Sequence, residues 1–193
     1  MGFNLFASVL FFPSLVYFAI QLVRRRPGRD AARELGWALP TRRNLGEAAL
    51  VLLALAGIAA VAFRLIPPGA LQGEEMNTAA YTGWPRNMGS LMLIFVVEML
   101  NRALPEEVFF RGWLGGCMVR RFGFWMGNTL QALVFLFPHL LLLTVTMALW
   151  PITILQFAAG WLQGWLRWRS ESVIPSTMVH AITNILGALP VLG

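Results

Sequence analysis

Apolar residues run along this chain in long uncharged blocks separated by short polar stretches, the pattern of helices that face hydrocarbon rather than water. The first block, Leu5 to Val23, carries no charge and stops at Arg24, Arg25, Arg26 and Arg29. At about 1.5 Å per residue, such a block crosses a hydrocarbon layer about 30 Å thick. The second, Leu45 to Ile66, has small residues at Ala49, Ala56, Gly57 and Ala60 that suit close helix packing, and Pro67, Pro68 and Gly69 stop it. The third is Met88 to Leu104. Pro105 fits the first turn of a new helix, where its missing N–H is not needed, so residues 105 to 121 are expected to form a separate amphipathic helix. Asn128 is placed to cap a fourth span from Thr129 to Leu149, ended by Trp150-Pro151. A fifth runs from Ile152 to Leu166, and a sixth from near Pro175 to Leu189-Pro190. The expected fold is all-α: a polytopic membrane helix bundle of about six transmembrane helices plus the amphipathic helix. No internal repeat or linker divides residues 1–193, which read as a single integral membrane domain.

Composition narrows this further. The chain is 58% hydrophobic and 12% charged, with a mean hydropathy of +0.65, whereas soluble domains carry about 25% charged residues. Water-soluble enzyme folds are excluded on that ground. Cys117 is the only cysteine, which leaves no disulfide framework and no zinc ribbon. A net charge of +6 would suggest nucleic acid in a soluble chain. Here the basic residues, all of them arginine, mark cytoplasmic loops instead: with this threading all but Arg64 and Arg86 fall on one side. That puts the N-terminus outside and the polar stretch between Pro67 and Asn87, with Glu74 and Glu75, on the external face. Neither a basic segment before the first block nor a cleavage site after it marks a signal peptide, so that helix reads as retained. No nucleic acid partner is expected, and the lipid bilayer is.

In such a chain the informative groups are ionisable side chains where hydrocarbon should be, each costing about 2.5 to 3.5 kcal/mol at a helix centre. Five qualify: Glu98, Glu106, Glu107, His139 and His180. Glu107 and Arg111 are four apart and can pair on one helix face, which turns Glu106 about 100° away and leaves it free. His180 and Asn184 share a face by the same offset, as do Phe135 and His139. Acid, base and amide groups are thereby brought to helix faces that could converge on one cavity, and those are the parts of a hydrolytic site.

Glu106 to Arg111 reads EExxxR, Phe135 to His139 reads FxxxH and His180 to Asn184 reads HxxxN. Three such motifs in this order on successive apolar helices resemble the CPBP family of intramembrane proteases, which includes the type II CAAX-prenyl endopeptidases and bacterial bacteriocin-processing and immunity relatives. The resemblance covers Glu106 to Asn184. It divides the chain into an N-terminal two-helix part, residues 1–87, and a catalytic core, residues 88–193. It implies a glutamate-dependent endopeptidase that needs no metal or other cofactor and cuts a membrane-associated protein or peptide: a CAAX-type tail, a leader peptide or a C-terminal sorting signal. Carried over, Glu106 is the general base that with His139 holds and activates a water, while His180 and Asn184 donate to the oxyanion. Glu107, Arg111 and Phe135 take supporting roles. The all-arginine basic set hints at a bacterial inner membrane, and the arginine asymmetry puts the expected site toward the cytoplasmic half.

Two rivals stand beside this reading. Glu106, His139 and His180 could bind zinc as a His₂Glu set, although no H-E-x-x-H is present. Alternatively, the buried charges could serve a non-catalytic partner-binding or immunity protein. Glu98 and Glu47 match no motif and are expected to face the bundle interior or sit near an interface. Gln131, Gln156 and Gln163 are expected to bond between helices, and Trp161, Trp165 and Trp168 to mark an interface.

Overall fold

A computed structural model of the chain describes residues 9–67, 69–70 and 80–193. The first apolar block forms α1, Phe11–Val23, and a short α2, Gly28–Glu34, follows the arginine run. Residues 5–8 of the expected first span lie outside the described residues. The second block is α3, Arg42–Leu65. It begins three residues before its apolar run because Thr41 and Asn44 cap each other reciprocally: the Asn44 amide donates to Thr41 Oγ1 and the Thr41 amide to Asn44 Oδ1, at 3.3 and 2.9 Å, which satisfies two otherwise unpaired donors. Among the described residues there is no strand.

The third block departs from expectation. Residues 105 to 121 do not form a separate amphipathic helix; one helical run continues from Met88 through Pro105. It comprises α4, Met88–Glu98, a π-helical segment Met99–Ala103, the four-residue α5, Leu104–Glu107, and a second π-helical segment Val108–Leu114, leading into α6, Gly115–His139. Proline lacks an N–H and crowds the preceding turn. The wider π turn just before Pro105 accommodates that without a break, since Ala103 and Leu104 both keep right-handed helical angles.

The fourth span is also corrected. No helix starts at Asn128 and runs to Leu149. Instead α6 reverses at Gly123, whose φ of 75° is open to glycine, and its second arm runs to His139. A Cβ on Gly127 would lie 2.6 Å from the backbone of Met118 and Val119, so a glycine there lets the two arms pack closely. Asn128 is not a cap; buried inside α6, it donates through Nδ2 to the Trp161 carbonyl at 3.0 Å. After His139 come α7, Leu142–Val145, a 3₁₀ turn at Met147–Leu149, α8, Trp150–Ser170, and α9, Ile174–Ala188.

The core joins Ala48, Val51 and Leu55 of α3 to Leu166 of α8 and Val179 of α9. Arm two of α6 lies against α8, where Gln131 Nε2 donates to the Gly160 carbonyl at 2.8 Å. Of the other glutamines, Gln163 is buried. The outer faces are apolar: Phe12, Leu50, Leu53, Val61, Met92 and Phe137 are all exposed. By length and hydropathy, Arg42–Leu65 and the run Met88–Val145 are long and apolar enough to cross a membrane, and Phe11–Val23 is a shorter apolar helix.

At the arginine-rich end, Glu34 ties α2 to α1, accepting from the Tyr17 hydroxyl and pairing with Arg26 at 2.7 Å. Burial raises the Glu34 carboxyl, but the bonds from Tyr17 and Arg26 outweigh it and hold it below the ordinary carboxylate range. A depressed folded value contributes stability above the unfolded pKa, about 4.3, and that contribution disappears as pH falls through the folded one. In detergent, the wild type should therefore melt progressively lower than at neutral pH once the buffer is below about pH 4. Glu34→Gln should show a smaller drop over the same interval, and an identical drop in both proteins would count against the clamp.

Candidate active site

The reversal at Gly123 runs the two arms antiparallel and sets the register of the site. A Cβ on Gly115 would face the Gln131 side chain at 3.5 Å, and one turn on, Phe110 meets Phe135 edge to face with ring centroids 5.1 Å apart. His139, at the end of the second arm, is thereby level with the glutamate pair. Phe135 is the hub. It is 1% exposed, carries the Arg111 guanidinium 4.0 Å above its ring centre, and touches the His139 ring at 4.7 Å and the His180 ring at 6.3 Å. An aromatic face beneath a desolvated guanidinium is attractive in itself.

The two adjacent glutamates differ sharply. Glu107 is fully buried, and its Oε1 lies 3.0 Å from Arg111 and 2.9 Å from His180 Nδ1. The pair expected from the i, i+4 spacing is present, and His180 joins it from α9. Arg111 is likewise closed off from solvent. Glu106 is partly open, with its carboxylate 3.8 Å from His180 Nε2. His180 thus lies between two carboxylates, one on each ring nitrogen.

Hydrogen bonding indicates which ring nitrogens carry protons. His139 Nδ1 lies 2.8 Å from the Phe135 carbonyl; a carbonyl only accepts, so Nδ1 carries the proton and a neutral His139 presents Nε2 as an acceptor. His180 Nδ1 donates to Glu107 for the same reason. Such second partners fix ring orientation and tautomer.

Asn184 is on α9 one turn beyond His180, and its Nδ2 donates to Glu98 Oε2 at 2.9 Å. Glu98 is a residue that motif reading passed over. It is 1% exposed, accepts from the Tyr81 hydroxyl at 2.6 Å and pairs with Arg102 at 3.1 Å. The available signal was an acidic residue in an apolar run with an arginine four positions later. Glu47, the other unassigned acid, pairs with Arg43 and Arg169 near the surface. Among the described residues, no three His, Cys, Asp or Glu side chains are gathered as a metal-holding group.

Apolar outer faces around a buried cluster of carboxylates, imidazoles and a guanidinium fit the class of helical membrane proteins. A family model described as type II CAAX prenyl endopeptidase Rce1-like matches residues 88–186, just over half of the chain, and the protein belongs to that family of membrane proteases. No curated protein and no solved structure matches it.

Proposed function

We propose that the chain is a six-span intramembrane endopeptidase that cleaves a membrane-associated protein or peptide by glutamate-activated water, without a metal. The carrying observation is the placement of His180 between Glu107, at 2.9 Å, and Glu106, at 3.8 Å, with His139 held across the Phe135 ring. Glu106 acts as general base, and the free Nε2 of His139 helps it hold the water that attacks the scissile carbonyl. A partly desolvated carboxylate is a better proton acceptor than one in water. His180 and Asn184 donate to the oxyanion, each contribution worth about 2.7 to 4 kcal/mol in a dry site. For His180 this requires a proton on Nε2 in addition to the one given to Glu107. Glu107 and Arg111 hold His180 in place.

The N-terminus lies outside, and the arginine-rich ends of α1, α2 and α8 face the cytoplasm of a bacterial inner membrane. Substrates are CAAX-type tails, leader peptides or C-terminal sorting signals. Membrane proteomes from cells carrying wild type or Glu106→Ala test the reading directly: a precursor should accumulate in the variant, and its absence would favour the non-catalytic alternative. On that precursor, His180→Ala and Asn184→Ala should each lower kcat by about 10²–10³-fold without abolishing it. Cleavage should survive exhaustive chelation, and its loss, with recovery on adding zinc, would establish the zinc alternative.

A further inference from the structure

Glu98 is a carboxylate inside an apolar helix, 1% exposed, and the proposed chemistry does not use it. A buried acid of this kind costs several kcal/mol unless its oxygens are occupied, and here three elements converge to occupy them. Arg102 reaches it from the next turn of the same run. Asn184 Nδ2 reaches it from α9. Tyr81 reaches it from the segment before α4. That segment is itself held: the Gly83 amide donates to the Val191 carbonyl at 3.1 Å, the Arg86 amide to the Gly193 carbonyl at 2.8 Å, and the Gly193 amide to the Trp84 carbonyl at 3.0 Å. Tyr81 also packs with Ile94, Ala188 and Leu192. The carboxylate is therefore held from both sides by backbone that is tied together.

We propose that Glu98 is a positioning residue for hydrolysis: it fixes the Asn184 carboxamide, with Tyr81 and Arg102 holding Glu98 in turn. The proposal rests on the reading of Asn184 as an oxyanion donor. An asparagine amide turns about a broad, nearly two-fold torsion, and its two ends are opposite in character, one donating and one accepting. Turned the wrong way, it would set a carbonyl oxygen against the developing oxyanion. A carboxylate only accepts, so the end facing Glu98 must be Nδ2. One N–H is then committed to Glu98 and the second is left on a nitrogen whose position no longer varies. Donors held before the reaction are the ones that stabilise charge as it develops.

The test uses the full-length protein in proteoliposomes and the precursor that accumulates in Glu106→Ala membranes. Glu98→Gln replaces the acceptor-only group by one that can face Asn184 either way. It should lower kcat by about 10–100-fold, by analogy with the loss of outer partners that orient metal-binding side chains, and leave KM unchanged, because the bond it controls is used only in the transition state. In an Asn184→Ala background the same substitution should change kcat by less than about twofold, since residues acting through one another are not additive. A wild-type kcat in Glu98→Gln, or a loss that multiplies with that of Asn184→Ala, overturns the proposal. If Glu98→Gln does not fold, as judged by its melting temperature, Tyr81→Phe takes its place: a fall in kcat that disappears in the Asn184→Ala background supports the proposal, and an unchanged or fully multiplicative kcat overturns it. Wild-type turnover in Asn184→Ala alone would overturn the oxyanion reading and this proposal together. An impaired Asn184→Ala beside an unimpaired Glu98→Gln overturns this one only.

Discussion

Glu106→Ala is expected to lower turnover by about 10²–10⁴-fold, the contribution of a positioned general base, while the protein still folds and inserts. Both halves of that expectation follow from the difference between neighbouring glutamates. Glu106 is partly open and its carboxylate lies 3.8 Å from His180 Nε2, so removing it breaks no close buried pair. His180 keeps its shorter bond to Glu107. Steady-state cleavage of the accumulated precursor, with size-exclusion behaviour and melting temperature measured on the same preparation, checks the two halves separately. Turnover at the wild-type rate in a clean Glu106→Ala sample would refute the mechanism. A collapse of the fold would refute the division of labour between the two glutamates.

Arg111→Met is expected to act the opposite way, on stability first. Glu107 and Arg111 are both closed off from solvent, and removing the arginine leaves Glu107 with its bond to His180 alone; breaking a buried pair in this way typically costs about 3–5 kcal/mol. Most of the folded, monodisperse protein should be lost. Replacing both partners by apolar groups of similar volume is often close to neutral, so Glu107→Leu with Arg111→Met should regain much of the melting temperature. That double variant should still be inactive, because His180 Nδ1 has lost its acceptor. Recovery of stability without recovery of cleavage is the expected signature. A single Arg111→Met variant as stable as the wild type would show that the pair carries no structural weight.

How far the site could be read in advance varies from residue to residue. Glu107 and Arg111 were legible as a pair because a four-residue offset works within one helix and needs no knowledge of its neighbours. The shared faces of Phe135 with His139, and of His180 with Asn184, were legible for the same reason. The level of His139 was not legible, since the fourth span was drawn from Thr129 to Leu149 across an unbroken apolar run. The actual helix ends at His139, just after Pro138, and the second arm begins at Gly123. A glycine within a helical pattern does not reveal whether its φ will be positive. Pro105 misled in the other direction, because a π turn upstream absorbed it. The contacts of Glu98 were hidden because its partners Tyr81 and Asn184 are 17 and 86 residues away.

Hydropathy, charge scarcity and three short spacings sufficed for an all-helical, lipid-compatible chain and for the ordered motif residues, because each depends on composition or on contacts within one helical turn. Which helices meet, and at what level, is a different kind of information. It is set by the reversal at Gly123, by the passage of a helix through Pro105, and by buried polar contacts between distant segments. Lipid contributes little to choosing among apolar faces, so packing and interhelical bonds make that choice, and they exist only once the chain has folded. Folding sends two adjacent glutamates to different surroundings, one closed off against Arg111 and His180 and one partly open, and joins Asn184 to an acid outside every motif.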